Sequence, residues 1–466
     1  MFSLTLPKRS STFAAMLNFR FLSAFLLACA SVAPLFAAAP FARQLDASFD
    51  ALEANGRMHG GVAVARNGVV VYQRAMGMRA QRDGKPVAAD ANTMYRVGSI
   101  AKVFTAVMIY QLIDEKKLSL DTKLSAFFPA MPNAERITIA HLLAHTSGLA
   151  SPPQDPGWIY EPQTRQQMLE RVAKLKPEYE PGEKSTYSNA GFILLGYIIE
   201  DVTKSTYAAQ LERRINKRLG LKRTRFGGAI DTARNEAQSF TYDEGKWSPH
   251  RQEDLSIAGG SGAIVSTPTE LAIFISALFD NRLTSAQRVT DMLTPFSDRL
   301  PGSEKGIAVF QLRDSTRSAY QHLGGIDAFF ASLTYVPDEK VAMAIVFNGQ
   351  NYPMGKVFYS VVDAVAGRTL QVPSFQPIEL TPETLTRYEG VYAFPEIGMS
   401  ITVKREGKQL SAQASGQDAF PIHAIGETLF SHPPSGILIE FQKDGQFTLY
   451  QGRSQMRFRK EAAANQ

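Results

Sequence analysis

Strand-forming segments stand in two groups far apart in the chain, and this separation limits the fold more than any other feature. Residues 61–65 and 69–72 are apolar runs flanking Arg66-Asn67-Gly68. Asn-Gly between two such runs is a strong signal for a tight hairpin. The next comparable runs come more than two hundred residues later, at 306–312, 328–336 and 341–347, with 317–325 a fourth candidate. Between them lie helical patterns: 100–112, 137–149, 163–175, 190–202, 207–219 and 271–278, the last with Thr267 as a cap and Pro268 in its first turn. Two more helices are expected at 45–55 and 357–366. One antiparallel sheet joining the early and late strands, with helices on both faces and the middle of the chain as a helical lobe, buries these pieces economically. The expected class is therefore α+β, with a cleft between sheet and lobe as the natural site.

At 466 residues the chain is too long for one ordinary core. The composition shifts at a Pro-containing stretch, 371–379. Beyond it, short strand-like segments at 388–394, 399–403, 409–414, 436–441, 447–451 and 456–459, punctuated by Glu406-Gly407 and Asp444-Gly445, point to a small β-barrel or sandwich. The expected organisation is 1–39 export signal, 40–370 main domain, 371–379 linker and 380–466 barrel domain.

Residues 1–39 carry Lys8, Arg9 and Arg20, no acid, an apolar run at 21–36 and then Ala37-Ala38-Ala39. Cleavage after this segment is the first reading and would leave a mature chain without cysteine. An uncleaved anchor and a lipoprotein attached through Cys29 are the alternatives. The expected location is the periplasm or the medium of a bacterium, with membrane attachment only through this segment. Three of the six formal positive charges belong to residues 1–39, so the body is only mildly basic. No basic block interleaved with aromatics is present, which leaves nucleic-acid binding without support.

The chemistry-bearing residues begin at Ser99. Ser99 and Lys102 sit three apart at the start of an apolar helix, so they share a face, and Ser99 lies at the positive end of the helix dipole. A lysine among apolar side chains loses its charge more easily and can accept a proton, the arrangement of an activated serine. Tyr187-Ser188-Asn189 adds a phenol and a carboxamide, and His322-Leu323-Gly324-Gly325 a histidine beside glycines. The Ser-x-x-Lys and Tyr-x-Asn patterns each occur once. A second His-x-Gly at His59-Gly60-Gly61 precedes Ser99 and reads as structural. His141 and His145 have metal-ligand spacing, but Leu142 occupies the place of a zincin glutamate, so no metal is expected. No Gly-x-Ser-x-Gly elbow is present at Ser99 or Ser261. Trp158 and Tyr160 are candidates for lining the cleft.

In this order the three patterns resemble the motifs of class C β-lactamases and DD-peptidase-like serine hydrolases. The resemblance extends to His145-Thr146-Ser147-Gly148-Leu149, Pro181-Gly182 and Ser266-Thr267-Pro268, and covers about residues 42–370. The segment from about 380 to 462 resembles the barrel appended to many exported members. The resemblance implies an acyl-serine mechanism without cofactor. In it Ser99 is the nucleophile, Lys102 and Tyr187 transfer protons, and Asn189 orients the lysine or the substrate. The N–H groups of Ser99 and Gly325 form the oxyanion hole, and His322 and Gly324 bind substrate. The third motif departs from the Lys-Thr/Ser-Gly of β-lactamases and transpeptidases and matches the His-x-Gly of related esterases and D-amino-acid peptidases. The expected substrates are small esters, D-amino-acid peptides or, with least efficiency, β-lactams. The other reading is a penicillin- or cell-wall-fragment-binding protein that acylates without turnover.

Overall fold

A computed structural model describes residues 40–312, 317–452 and 454–461. The expected export segment and Cys29 lie outside the described residues.

The two strand groups form one six-stranded antiparallel sheet. Its order is Ala308–Gln311, Ser318–Ile326, Phe329–Val336, Val341–Gln350, Met58–Arg66, Val69–Met76. The early hairpin docks on the last strand from Met58 opposite Gln350 to Arg66 opposite Val341. Asn67 and Gly68 both take positive φ, 53° and 74°, as a primed two-residue turn requires. The Met58–Arg66 strand is central, and its side chains alternate between two cores. Ala63 and Ala65 pack with Leu271 and Phe274 of the Pro268–Phe279 helix. Val62 and Val64 pack with Leu45 and Phe49 of the Pro40–Ala54 helix and Val361 of the Met354–Val365 helix.

The Ala101–Asp114 helix is buried from Ala101 to Ile113. That follows from a sequence apolar on every face rather than along one stripe. Phe104 stacks on Phe274 with ring centres 3.7 Å apart.

Two expectations change. The helix expected over 137–149 is only Ile139–Leu143, capped by Thr138, and the chain then turns at His145 with φ of 56°. His141 and His145 therefore do not share a helical face. The C-terminal segment closes into an eight-stranded barrel, whereas six strands were expected. The two others, Phe420–Ala424 and Leu429–His432, are five and four residues long, and Pro421 interrupts the first as a sequence signal. The barrel packs on the main body: Ile425 and Leu438 share the core of Val357 and Phe358, and Lys356 meets Glu440 at 2.5 Å. Residues 371–379 are fastened at both ends. Phe375 lies under the Arg57 guanidinium at 4.5 Å, and the Ile378 N–H bonds the Ala424 carbonyl at 2.8 Å.

Candidate active site

Ser99 is placed by backbone pairing on both sides. Tyr95 and Arg96 pair with Ser266 and Val265, and the Val97 N–H bonds the Ile264 carbonyl at 3.0 Å. The chain then makes a 3₁₀ turn over Gly98–Ile100 that runs into the Ala101–Asp114 helix. Gly98 has φ of 52°, and a methyl there would lie 2.7 Å from the Gly325 nitrogen. A methyl on Gly324 would collide with the Val97 carbonyl. Both glycines are thus required for the Ser318–Ile326 strand to lie against the Ser99 turn.

Lys102 is fully buried, and desolvation holds its pKa well below the ordinary lysine range. Its Nζ lies 2.8 Å from Asn189 Oδ1, 2.9 Å from the Ser261 carbonyl and 3.1 Å from Ser99 Oγ. A neutral amine has two N–H donors and one lone pair. The carboxamide and carbonyl oxygens can only accept, so they take the two donors. The lone pair is then left for the Ser99 hydroxyl, which can donate to it.

Asn189 opens the Asn189–Thr203 helix, and its N–H bonds Ser151 Oγ at 2.9 Å. The Ser261 carbonyl comes close because Gly260 meets Gly196 of the same helix, where a methyl on Gly260 would lie 2.9 Å from the Gly196 Cα. Sequence reasoning left this carbonyl out; the signal for it was the Gly259-Gly260-Ser261-Gly262 run, where the backbone itself can approach.

The Tyr187 ring lies 4.7 Å from Lys102 Nζ and 4.5 Å from the His145 ring. Although half-exposed, its phenol is pushed up to about 12 by burial of its inner side, partly offset by hydrogen bonding with Ser99. His145, half-buried behind it, accepts the Ser188 N–H at 3.1 Å and is pushed down to about 3 by desolvation, then by Lys102 and His322. It packs Tyr187 from behind, a role its spacing from His141 did not suggest. His322 is half-buried, 6.5 Å from the Tyr187 ring, with Nδ1 2.7 Å from the Leu323 carbonyl. Desolvation and then Lys102 push it down to about 4, so it is neutral near pH 7.

A cleft of about 220 Å³ opens over Ser99, Asn189 and Gly325. Trp158, Ile159, Ile193 and Ile257 form its apolar wall. Its charged lining residues, among the described residues, are Glu253 and Asp327, and the Asp327 side chain is fully buried in an ion pair with Arg96 at 2.8 Å. Tyr160 does not line this cleft but stacks under Arg251 at 3.9 Å. Tyr187 and His322 line an adjoining hollow of about 110 Å³ with His145 and Glu304. The structure thus gathers Ser99, Asn189 and Gly325 at the cleft, Tyr187 and His322 at the second hollow, the buried Lys102 in contact with Ser99 and Asn189, and Gly324 against Val97. It leaves His59 elsewhere, buried against Trp247 with ring centres 4.5 Å apart.

Comparison with known proteins gives a family match and a fold. The Beta-lactamase family profile matches residues 45–366. Penicillin-binding protein 4* of Bacillus subtilis (strain 168) is 24% identical over 431 residues, 86% of this chain and 93% of its own. The octameric penicillin-binding protein homologue of Pyrococcus abyssi aligns with a TM-score of 0.63 at 21% identity, over 89% of this chain and 99% of its own. A D-stereospecific amidohydrolase from Streptomyces sp. aligns with a TM-score of 0.57 at 27% identity, over 68% of this chain and 97% of its own.

Proposed function

The chain belongs to the Beta-lactamase family, and from that membership and the contacts of Lys102 we infer an exported serine hydrolase that cleaves esters or amides through an acyl-Ser99 intermediate. The observation that carries this reading is the 3.1 Å contact of the buried Lys102 Nζ with Ser99 Oγ, its two other contacts being to oxygens that can only accept. Ser99 attacks the substrate carbonyl as its proton passes to Lys102. Tyr187, protonated at neutral pH because its pKa is raised, gives a proton to the leaving group. Lys102 passes its proton on to Tyr187, and water then attacks the acyl carbon, one of its protons going to Ser99 Oγ as the acid is released.

The oxyanion develops where Ser99 and Gly325 offer backbone N–H groups. Counting from the two-residue turn at Asp327 and Ala328, Ile326 and Phe329 form the bonded pair, and Gly325 opposite Phe330 belongs to the alternate class. Its N–H therefore points away from its partner strand, toward the open edge.

The cleft's charges support a substrate order. A carboxylate beside the scissile bond meets a neutral His322 and the acid Glu253. Neutral esters and amides with an apolar acyl group fit better, and D-amino-acid amides are consistent with the amidohydrolase likeness. β-Lactams, which carry a carboxylate, come last. The test is fluorophosphonate labelling of the mature protein beside a p-nitrophenyl ester, a D-Ala-terminated peptide and a chromogenic cephalosporin. Wild type labels and turns over the neutral ester faster than the peptide or the cephalosporin, which both carry a carboxylate, and Ser99→Ala does neither. Labelling of Ser99→Ala equal to wild type overturns the mechanism. A burst with no steady state on all three substrates would favour a non-turnover binding protein instead.

A further inference from the structure

The hairpin at 240–249 has an exposed outer face and an inward pair. Its strands are Phe240–Asp243 and Lys246–Pro249, and Tyr242 pairs across them with Trp247, rings 4.9 Å apart. Trp247 is held by the His59 ring and by donating to the Gly56 carbonyl at 3.2 Å. Tyr242 reaches the other way, into the C-terminal barrel. It lies against Gly436, which ends the Pro433–Ser435 turn, so closely that a methyl there would sit 2.7 Å from the Tyr242 ring. Gly436 has φ of 67°, so the turn needs glycine on conformational grounds as well.

The base of the hairpin is tied to the cleft. Asn348 donates to the Gln238 carbonyl at 2.7 Å, and the His250 N–H to the Ser239 carbonyl at 2.8 Å. Ser239 Oγ accepts from the Ala328 N–H at 3.3 Å, in the turn that ends the strand carrying Gly325. Just beyond the hairpin, the Glu253 N–H donates to Asp327 Oδ1 at 2.7 Å, and the Asp254 N–H to the Ile159 carbonyl at 2.8 Å. Glu253, Ile257 and Ala258 then line the cleft itself. A two-stranded hairpin has little stability of its own, so what packs on its inward face decides where its base lies.

We propose that Tyr242 is a positioning residue through which the C-terminal barrel sets the wall of the cleft formed by Glu253, Ile257 and Ala258. The Pro433–Gly436 turn is its socket, and the 250–258 segment and the Asp327–Ala328 turn are what it holds in place. The proposal rests on the reading of Ser99 as nucleophile, and the experiment separates the two.

Steady-state kinetics on full-length variants with a bulky-acyl p-nitrophenyl ester supply the test. Tyr242→Ala and, from the barrel side, Gly436→Ala raise KM about tenfold with kcat within about twofold, because displaced walls weaken binding without touching the reacting groups. Tyr242→Phe, which keeps the ring, restores wild-type KM. Glu440→Gln, which breaks the Lys356 contact without touching the hairpin, leaves KM unchanged. Where Tyr242→Ala does not fold, Tyr242→Leu takes its place. Wild-type KM in both Tyr242→Ala and Gly436→Ala overturns the proposal, as does an equal KM rise in Glu440→Gln. Fluorophosphonate labelling is read on the same samples. Full labelling of the Tyr242 variants and none of Ser99→Ala keeps the hydrolase reading whatever KM does, and undiminished turnover by Ser99→Ala removes that reading and the proposal together.

Discussion

Lys102 Nζ lies 4.7 Å from the Tyr187 ring, yet burial acts on the two groups in opposite senses, down for the amine and up for the phenol. That divides the labour between base and acid, and it sets a pH profile. kcat/KM on a neutral ester rises with pH as Lys102 loses its proton, at a pH well below the ordinary lysine range. It then holds level through the alkaline range, because Tyr187 does not ionise until about 12. A profile that rises only near pH 10 would mean that the amine is charged in the free enzyme. Lys102→Ala lowers kcat/KM by about 10²–10⁴, the usual worth of a positioned base, with little change in far-UV circular dichroism. The residue pairs were legible because serine and lysine three apart on a helix must meet. Of the acceptors on Lys102, Asn189 was named but the Ser261 carbonyl was not: it is a backbone group that any residue could supply, and only the glycine run at 259–262 hints at its approach. His145 escaped for a related reason, since its place behind Tyr187 follows from a left-handed turn after a helix of only five residues.

Among elements, the close approach of the Ser318–Ile326 strand to the Ser99 turn decides whether the site exists. Gly324→Ala drives a methyl into the Val97 carbonyl, and the strand must move away. The expected result is a loss of about 1–3 kcal/mol in urea denaturation, as for other overpacked sites, with a far larger fall in kcat because Gly325 moves too. Unchanged kcat would separate Gly325 from catalysis. The sheet was readable from the Asn-Gly hairpin and the late apolar runs, since hydrophobic period and turn residues report local structure directly. Two barrel strands were not, because four or five residues with a proline carry too little periodicity to stand out.

The molecule as a whole carries an acid sensitivity with one source away from the cleft, besides His145 and His322 at the site. His59 accepts the Met78 N–H at 3.2 Å, and burial pushes it down to about 4, with a smaller opposing pull from Glu53. Unfolded, it titrates near 6.5. Between these values only the unfolded chain takes up the proton, so stability rises with pH through that window and is lost as pH falls across it. The full loss from His59 is about 3 kcal/mol at about 1.4 kcal/mol per pKa unit. In chemical denaturation, His59→Gln loses correspondingly less stability than wild type between pH 7.5 and pH 4.5; equal losses would place the sensitivity in other groups. The packing that buries His59 was invisible beforehand, because Trp247 is remote in sequence and only the fold brings the rings together. The same remoteness governs the central strand, with consequences for how the chain is made. Met58–Arg66 has one neighbour at once, Val69–Met76, but its other neighbour begins at Val341. At synthesis rates of about 5–20 residues per second, that partner emerges tens of seconds later. For that time a strand destined for burial on both faces has an unpaired edge, and the sheet cannot close until nearly the whole catalytic region has been translated. The two ends of the sheet are bound in space but separated in time, so the newborn chain depends on being shielded from its neighbours until residue 350 arrives.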